Sequence, residues 1–392
     1  MRAPLYEQLY TYVLDEIRGA RLQSGDRVPS EKELAEQFKV SRITSKKALE
    51  QLVQIGVIER IRGKGSFVSQ SLPNLAHLDP SPHTTLSHDG AVSRRPIGLI
   101  LPDFSEVYGL KLLHAIEERC SEQDYHLLLK RTYGRREEEE QAIRSFARLG
   151  VDGLIVFPVH GEYYNANLLR LALDGFPLVV VDRYLRGIAA RAVYTDNTAA
   201  ACDLTTYLLN RGHAHIAFLS PPIKDTSSIE ERYRGFATAL SQRGLGPAPP
   251  YCLTNLFSTL PQSFHGDKIG QDEDTLRSFI AQNPALTAFV VCEYNLALIL
   301  SDVLASMGKR VPEDYAIACF DSPETPFGTP LFTHIQQDEP TMGHTAVDLL
   351  IGQIRGDDTP ARTVIGFHLI EGQSTGQPPT TVTSPALLTA SS

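Results

Sequence analysis

The sequence predicts two folded parts of different class: a small α+β head and a large α/β body of two lobes, joined by a tether. Three observations predict this. The first is charge. The chain of 392 residues carries a net −9, yet residues 1–70 hold 12 Lys and Arg against 9 Asp and Glu, and the remainder holds 25 against 37. A basic head on an acidic body means that only the head is suited to phosphates. The second is a pair of capped helical patterns in the head, separated by a short bend and followed by a hairpin pattern. The third is an alternation of continuous Val/Ile/Leu runs with helical patterns from residue 96 onward, as in parallel sheets covered on both faces.

In the head, Leu5, Leu9, Val13 and Ile17 make a four-residue apolar stripe opened by Pro4, which predicts a first helix. Ser30 with Glu33 three residues on predicts a capping box for a second helix, whose apolar face is Leu34, Ala35 and Phe38. After a bend through Val40, Ser41 is a good N-cap for a third helix with Ala48, Leu49 and Leu52 inward. Arg42, Thr44, Ser45, Lys46 and Lys47 fall elsewhere on that cylinder, near its N-terminal end, where a recognition helix carries its groove contacts. The bland alternative is a basic, solvated surface helix. Residues 57–69, VIERIRGKGSFVS, then read as two strands around a Gly63-Lys64-Gly65 tip. A hairpin in that place is a wing, and a lysine at its tip suits phosphate or minor-groove contact.

The stretch PSEKELAEQFKVSRITSKKALEQLVQIGVIERIRGKGSFV resembles the winged helix-turn-helix of the GntR family of bacterial transcription regulators. The resemblance implies DNA contacts at Lys32, Arg42, Thr44 and Lys46, with Gly65 at the wing. Lys32 and Lys46 stand where the family more often has Arg. A lysine cannot make a bidentate fork to a guanine edge, so base readout is assigned to Arg42, and phosphate roles to Lys32, Lys46 and Lys64. Ser41 and Ser45 complete the expected DNA-binding set.

Residues 71–95 are rich in Pro, Ser, Thr, Asp and His without an apolar period and read as a tether. His77, His83 and His88 within it are expected to be solvated. The body, residues 96–376, opens with IGLILP at 97–102, HLLLK at 126–130, GLIVFP at 153–158 and PLVVVD at 177–182. The pattern restarts after Val193 with IAFLSP at 216–221, AFVVC at 288–292 and YAIACFD at 315–321. Two successive lobes imply a cleft, with ligands at the carboxyl ends of strands. Residues 377–392 are expected to be disordered.

The segments VDRYLRG, VYTDNTAAACDLTTYLLNRGHAHIAFLSPP, EERYRGFATAL and GKRVPEDYAIACFDSPE are similar to the LacI/GalR sugar-sensing domain, itself like a periplasmic binding protein. Joined to such a head, this body resembles the arabinose repressors of the AraR type. The resemblance implies a small sugar effector, L-arabinose or a relative, and makes Arg232 the ligand arginine, able to fork onto vicinal hydroxyls. Its alternative is a solvated arginine beside Glu230 and Glu231. Asp321 ends a strand as a hydroxyl acceptor, or else caps a turn. Asp103, Ser105 and Tyr108 follow the first strand, in the loop that touches sugar in the family. Phe157 could stack on a sugar face or belong to the core. Where the family has Asn-Asp after the AFVVC strand, this chain has Glu293-Tyr294-Asn295, and Glu293 and Asn295 become candidates. Asp196 reads as a helix cap, His213 as structural. Gly372 stands where the family commonly places an Arg.

Five cysteines, an odd number without metal-ligand spacing, read as buried free thiols of a reducing, cytoplasmic compartment. No apolar run approaches a membrane span. No phosphate loop or nucleophile elbow is present, which argues against an enzyme, and no cofactor is expected. The expectation is a homodimeric repressor on double-stranded, palindromic operator DNA, released by sugar. The alternatives are a purine or amino-acid effector, or co-repressor or activator logic.

Overall fold

A computed structural model describes residues 5–19, 21–40, 42–61, 65–70, 72, 95–159, 165–188, 190–224, 226–245, 251–257 and 266–379. The chain divides into two units, Met1–Val92 and Ser93–Ser392. Nearly all of the expected tether, with its three histidines, and the tail beyond Pro379 lie outside the described residues, as do Ser41 and Lys64. Gln377 to Pro379 are placed, and Pro378 sits beside Gly212.

The head is built as its stripes require. α1 (Leu5–Arg18), α2 (Glu31–Phe38) and α3 (Arg42–Gln54) are followed by β1 (Ile58–Ile61) and β2 (Gly65–Val68), an antiparallel pair. The capping box forms: Ser30 Oγ accepts from Glu33 N, and the Glu33 carboxylate accepts from Ser30 N. Lys39 then ends α2 in the left-handed conformation (φ 54°), which gives the sharp bend before α3. Leu9, Val13, Ile17, Leu34, Ala48, Leu49 and Leu52 meet in one core with Val57, Ile58 and Val68. A feature the pattern did not announce is the approach of residues 25–28 to β2. Arg27 bridges antiparallel to Phe67, and Val28 N donates to Ser66 O at 2.9 Å.

The body holds two six-stranded sheets of matching plan. The first lobe reads β13 (Arg362–Ile365), β7 (Arg191–Thr195), β6 (Leu178–Val181), β5 (Gly153–Val156), β3 (Arg95–Leu101), β4 (Tyr125–Arg131). The second reads β14 (Phe367–Ile370), β12 (Thr333–Gln337), β11 (Ala316–Phe320), β10 (Ala288–Val291), β8 (Ile216–Leu219), β9 (Cys252–Leu253). Position for position, β6 answers to β11 and β7 to β12. β14 alone runs antiparallel to its neighbour.

The lobes are not successive, as the sequence reading had them. The chain leaves the first lobe after β7 and enters α7 (Asn197–Asn210), which packs on α8 (Ser227–Gln242) of the second. It returns after β12 into α11 (Glu339–Arg355), which packs on α4 (Leu110–Glu122) of the first. It crosses again at Gly366, between β13 and β14. The reason is apolar burial. Met342, Ala346, Val347 and Leu350 of α11 complete the core of Ile97, Leu99, Ile155 and Val179. Gly343 lets α11 come within 3.0 Å of Leu112 O, measured from where a Cβ would stand. Asp196 and Asp338 cap α7 and α11 alike: each carboxylate accepts from the backbone N three residues on, Ala199 at 2.8 Å and Thr341 at 3.0 Å. The remaining helices of the first lobe are α5 (Arg136–Leu149) and α6 (Ala166–Leu173); those of the second are α9 (Gly266–Gln282) and α10 (Tyr294–Ser306).

Gly235 sits in α8 where it crosses α7; a Cβ there would lie 2.1 Å from Thr198 O and 2.9 Å from Ala201 Cβ. Gly235→Ala is expected to destabilise the body by about 2–3 kcal/mol or more, because backbone must move. Gly270, inside α9 with nothing within 4 Å of its would-be Cβ, is the control. Gly270→Ala should stabilise by about 0.5–1 kcal/mol. Thermal unfolding of the two variants checks both signs.

Candidate nucleic-acid interface and effector cleft

In the head, α2, α3 and the hairpin enclose a concavity of about 550 Å³ lined by Arg27, Glu31, Lys32, Arg42, Arg60 and Gly65 among others. The sequence reading placed Lys32, Arg42 and Gly65 there. Arg42 and Lys46 are exposed in the first turns of α3, and Lys46 lies 3.8 Å from Glu50 one turn on. Thr44 is half-buried. Gly65 takes a φ of 118°, which a side chain would strain, and this opens the wing strand.

Ser45 is corrected. Its side chain is fully buried, and its hydroxyl donates to Glu31 O at 2.7 Å and Arg42 O at 3.1 Å. It locks α3 to the start of α2 and offers a duplex nothing. Arg27 and Arg60 were missed. Arg60 pairs with Glu31 at 2.6 Å across the concavity, and Arg27 reaches it through the unforeseen approach of residues 25–28 to β2. Apolar periodicity carries no sign of either.

In the body, the C-terminal ends of β6 and β11 present Asp182 and Asp321, equivalent positions in the two sheets. Both are buried and both adopt positive φ, 68° and 62°. Such backbone is uncommon outside glycine and clusters at ligand sites. Tyr108 OH donates to Asp182 Oδ1 at 2.6 Å, and Gln337 Nε2 donates to both oxygens of Asp321 at 3.2 and 3.0 Å. Arg232 is 6% exposed, so the solvated alternative is gone. Its Nε donates to Asn197 Oδ1 at 2.8 Å, one terminal nitrogen donates to Cys292 O at 2.7 Å, and its plane lies 3.8 Å over Phe320. Glu230 and Glu231 beside it reach the other lobe. Glu231 accepts from Tyr184 OH at 2.9 Å, and Glu230 pairs with Arg186.

Burial pushes the Asp321 carboxyl up to about 7. Glu339 and Asp182 add repulsion, while Arg232 and the Gln337 amide hold it back. Burial likewise drives the Tyr108 hydroxyl well above its ordinary range, with Asp182, Asp321 and Glu339 adding to the effect, so Tyr108 stays a donor. Glu339, raised by burial, accepts from Gly109 N at 2.6 Å and Leu112 N at 3.2 Å and so caps α4.

Other candidates fall less centrally. Phe157 is buried, edge-on to Tyr108, with the Arg183 guanidinium 5.2 Å from its ring. It is cleft wall and core at once. Asp103 is turned to Arg131 at 3.3 Å on an exposed rim, and the Ser105 hydroxyl accepts from Val107 N within its own turn. The loop brings Tyr108 to Asp182, and those two bonds turn Asp103 and Ser105 elsewhere. Glu293 and Asn295 stand half-buried at the start of α10. His213 is structural: its ring nitrogens meet Thr287 Oγ1 at 3.0 Å and Gly376 O at 3.2 Å. At Gly372 a Cβ would fall 2.3 Å from Phe332 C, so this backbone excludes the family's arginine. Asp182, Asn197 and Gln337, which meet Tyr108, Arg232 and Asp321, lie outside the set that the sequence predicts. The signal for Asp182 was there, since VVVD repeats the ending of ACFD.

Of the five free cysteines, Cys120, Cys292 and Cys319 are buried, and Cys202 and Cys252 are half-buried. Among the described residues no helix is long and apolar enough to cross a membrane, and no cluster of His, Cys, Asp and Glu has metal-holding geometry.

A winged helix-turn-helix with a basic concavity, carried by a two-lobed body with a polar cleft, defines a DNA-binding regulator that answers to a small molecule. Comparison bears this out. Residues 5–68 match the bacterial regulatory proteins of the gntR family, and residues 205–375 match the periplasmic binding protein-like domain. The chain thus joins a head of the gntR regulatory type to a periplasmic binding protein-like body. It is 28% identical to an arabinose metabolism transcriptional repressor of Geobacillus stearothermophilus, over 90% of this chain and 91% of that one. It is 25% identical to the transcriptional repressor PurR of Histophilus somni strain 129Pt, over 77% and 89%. The crystal structure of the transcription regulator CcpA of Lactococcus lactis matches with a TM-score of 0.63 at 22% identity, over 72% of this chain and 99% of that one, which shows the fold.

Two expectations follow. Ser45→Ala leaves a buried bond unmade, and should destabilise the head by about 1–2 kcal/mol without changing the salt slope of duplex binding. This is read by thermal unfolding and by titration at several salt concentrations. Asp321 in the native state keeps a proton that the unfolded chain, with its ordinary value near 3.8, has released. Its contribution to stability is therefore full at low pH and is lost as pH rises from about 4 through 7. Asp321→Asn should raise the unfolding temperature over wild type at pH 8 and do so much less at pH 5. An equal gap at both values would contradict the assignment.

Proposed function

We propose that the chain is a homodimeric transcriptional repressor that leaves a two-fold operator when a small sugar, L-arabinose or a related pentose or hexose, enters the cleft. The observation that carries the sugar reading is Arg232. A buried guanidinium stacked 3.8 Å over Phe320, in the field of the Asp321 carboxyl, puts donors and an acceptor of the kind that sugar hydroxyls need in one place. The resemblance to an arabinose repressor along nine-tenths of the chain supports it. Sugar closes the lobes about the crossings at Asp196, Asp338 and Gly366, and the change is passed to the paired heads. By linkage the operator must weaken sugar binding to the same degree. We place the protein in the bacterial cytoplasm, held on the nucleoid by its operator, and working without a cofactor. A purine effector is the second reading, favoured by the PurR relatives and by the aromatic pair Tyr108 and Phe157.

Anisotropy titration of a promoter fragment from the gene's own neighbourhood, with and without L-arabinose, other sugars and nucleobases, tests the reading. Operator affinity unchanged by every one of them would sink it. Arg42→Ala should weaken operator binding by about 1–3 kcal/mol and relax sequence preference at one base pair. Arg232→Ala should keep operator binding and lose the response to effector. Loss of both properties together would mean that Arg232 holds the fold rather than the ligand.

A further inference from the structure

Resting on the reading of Arg232 as the effector's arginine, we propose that Asn197 is a positioning residue that ties Arg232 to the joint between the lobes. Asn197 opens α7 directly after the first crossing and is 1% exposed. Its amide faces both lobes. Nδ2 donates to Thr195 O at 3.0 Å, at the end of β7 in the first lobe, and Oδ1 accepts from Arg232 Nε at 2.8 Å, on α8 of the second. The orientation of the amide is fixed by these partners. Turned over, it would set its NH2 against the Nε–H of Arg232 and its oxygen against the Thr195 carbonyl, two donors and two acceptors face to face.

The arrangement makes the arginine's direction depend on the hinge. Cys292 O holds one terminal nitrogen and Phe320 holds the plane, so both of those contacts belong to the second lobe. Asn197 refers the Nε edge to a backbone oxygen of the first. When the angle between β7 and α7 changes, Thr195 O shifts against Arg232, and the Asn197 amide must follow one or lose the other. A ligand held by Arg232 is thereby coupled to lobe angle without touching the hinge. Asparagine is the side chain that serves, since the position needs a donor and an acceptor about 2 Å apart. Aspartate keeps the acceptor for Nε but loses the donor.

The test has two parts, on the full chain. In the ligand-free protein, the Nε–H resonance of Arg232 is assigned by its disappearance in Arg232→Lys. Its exchange with solvent should be slow in wild type and in Asn197→Asp, and at least about tenfold faster in Asn197→Ala, which lacks the acceptor. In calorimetric titration with L-arabinose, Asn197→Ala should bind on the order of 10- to 100-fold more weakly, and Asn197→Asp should recover most of that loss. If Asn197→Ala does not fold, Asn197→Ser, too short to reach Nε, replaces it. Exchange in Asn197→Ala as slow as in wild type would overturn the proposal, as would sugar binding lost equally in the alanine and aspartate variants. If wild type takes up no L-arabinose, the sugar reading fails, and the exchange measurement decides the role of Asn197 alone.

Discussion

Two carboxylates at the joints between the lobes, Asp196 and Asp338, set the conditions for the rest of the body. Each takes the free amide of a helix's first turn at a point where a strand of one lobe runs into a helix of the other. The bond satisfies an orphan donor, and the negative charge sits at the positive end of the helix dipole. Because the cap is a side chain of the crossing residue itself, each helix starts at a fixed distance from its strand while the backbone between them stays single. Such a joint bends without unravelling the first turn beyond it. Gly366 makes the third crossing with no side chain at all. The lobes are therefore two rigid sheets linked at three narrow points, which is what a hinge requires.

Between those points the cleft gathers charge that is costly to bury. Asp182 has Arg183 at 3.3 Å and Asp321 lies in the field of Arg232, while Glu339 caps α4 beside them. Burial leaves Asp321 near half-protonated at neutral pH by its value of about 7. An arrangement like this is not explained by stability. Buried ionisable groups with shifted protonation, gathered at strand ends, mark a candidate ligand site. Outside the cleft the lobes also touch through Tyr184 and Glu231, Arg186 and Glu230, and Lys111 and Glu324 at 2.9 Å. The last of these is largely exposed on its acidic side and contributes little by itself.

The sequence was most informative where one periodicity answered to one core. The head's three helices, its capping box and its wing were legible because stripe, cap and turn residues agree there. The first strands of each lobe were legible as unbroken Val and Ile runs. The return of α11 to the first lobe was not. Its stripe of Met342, Ala346, Val347 and Leu350 says that the helix is half-buried, and says nothing of which lobe buries it. The same limit applies to side chains. Ser45 and Arg42 sit three residues apart in one basic turn, and only the packing of α2 shows that one hydroxyl points in and one guanidinium points out. Asp103 looked like a cleft residue by its place after β3, yet Arg131 at the end of the adjacent β4 claims it. Pairings across strands leave no trace in local pattern.

Arg232 shows how far residue type and position carry a functional reading, and where geometry must take over. Its sequence neighbours, Glu230 and Glu231, argue for a solvated helix face. In the fold those glutamates turn across the gap to Arg186 and Tyr184, while one step further along the helix Arg232 turns inward onto Phe320. The same turn of α8 thus carries contacts to the first lobe and a buried arginine at the strand ends of the second. The loop that follows β6 does likewise, with Asp182 and Arg183 in the cleft and Tyr184 and Arg186 at the clasp. Tyr184 already sits on Glu231 at 2.9 Å and Arg186 on Glu230, so the backbone piece that carries Asp182 and the one that carries Arg232 are clasped to each other. The clasp therefore sets how far apart Asp182 and Arg232 are held, and whatever moves one of these pieces of backbone must move or break its contact with the other.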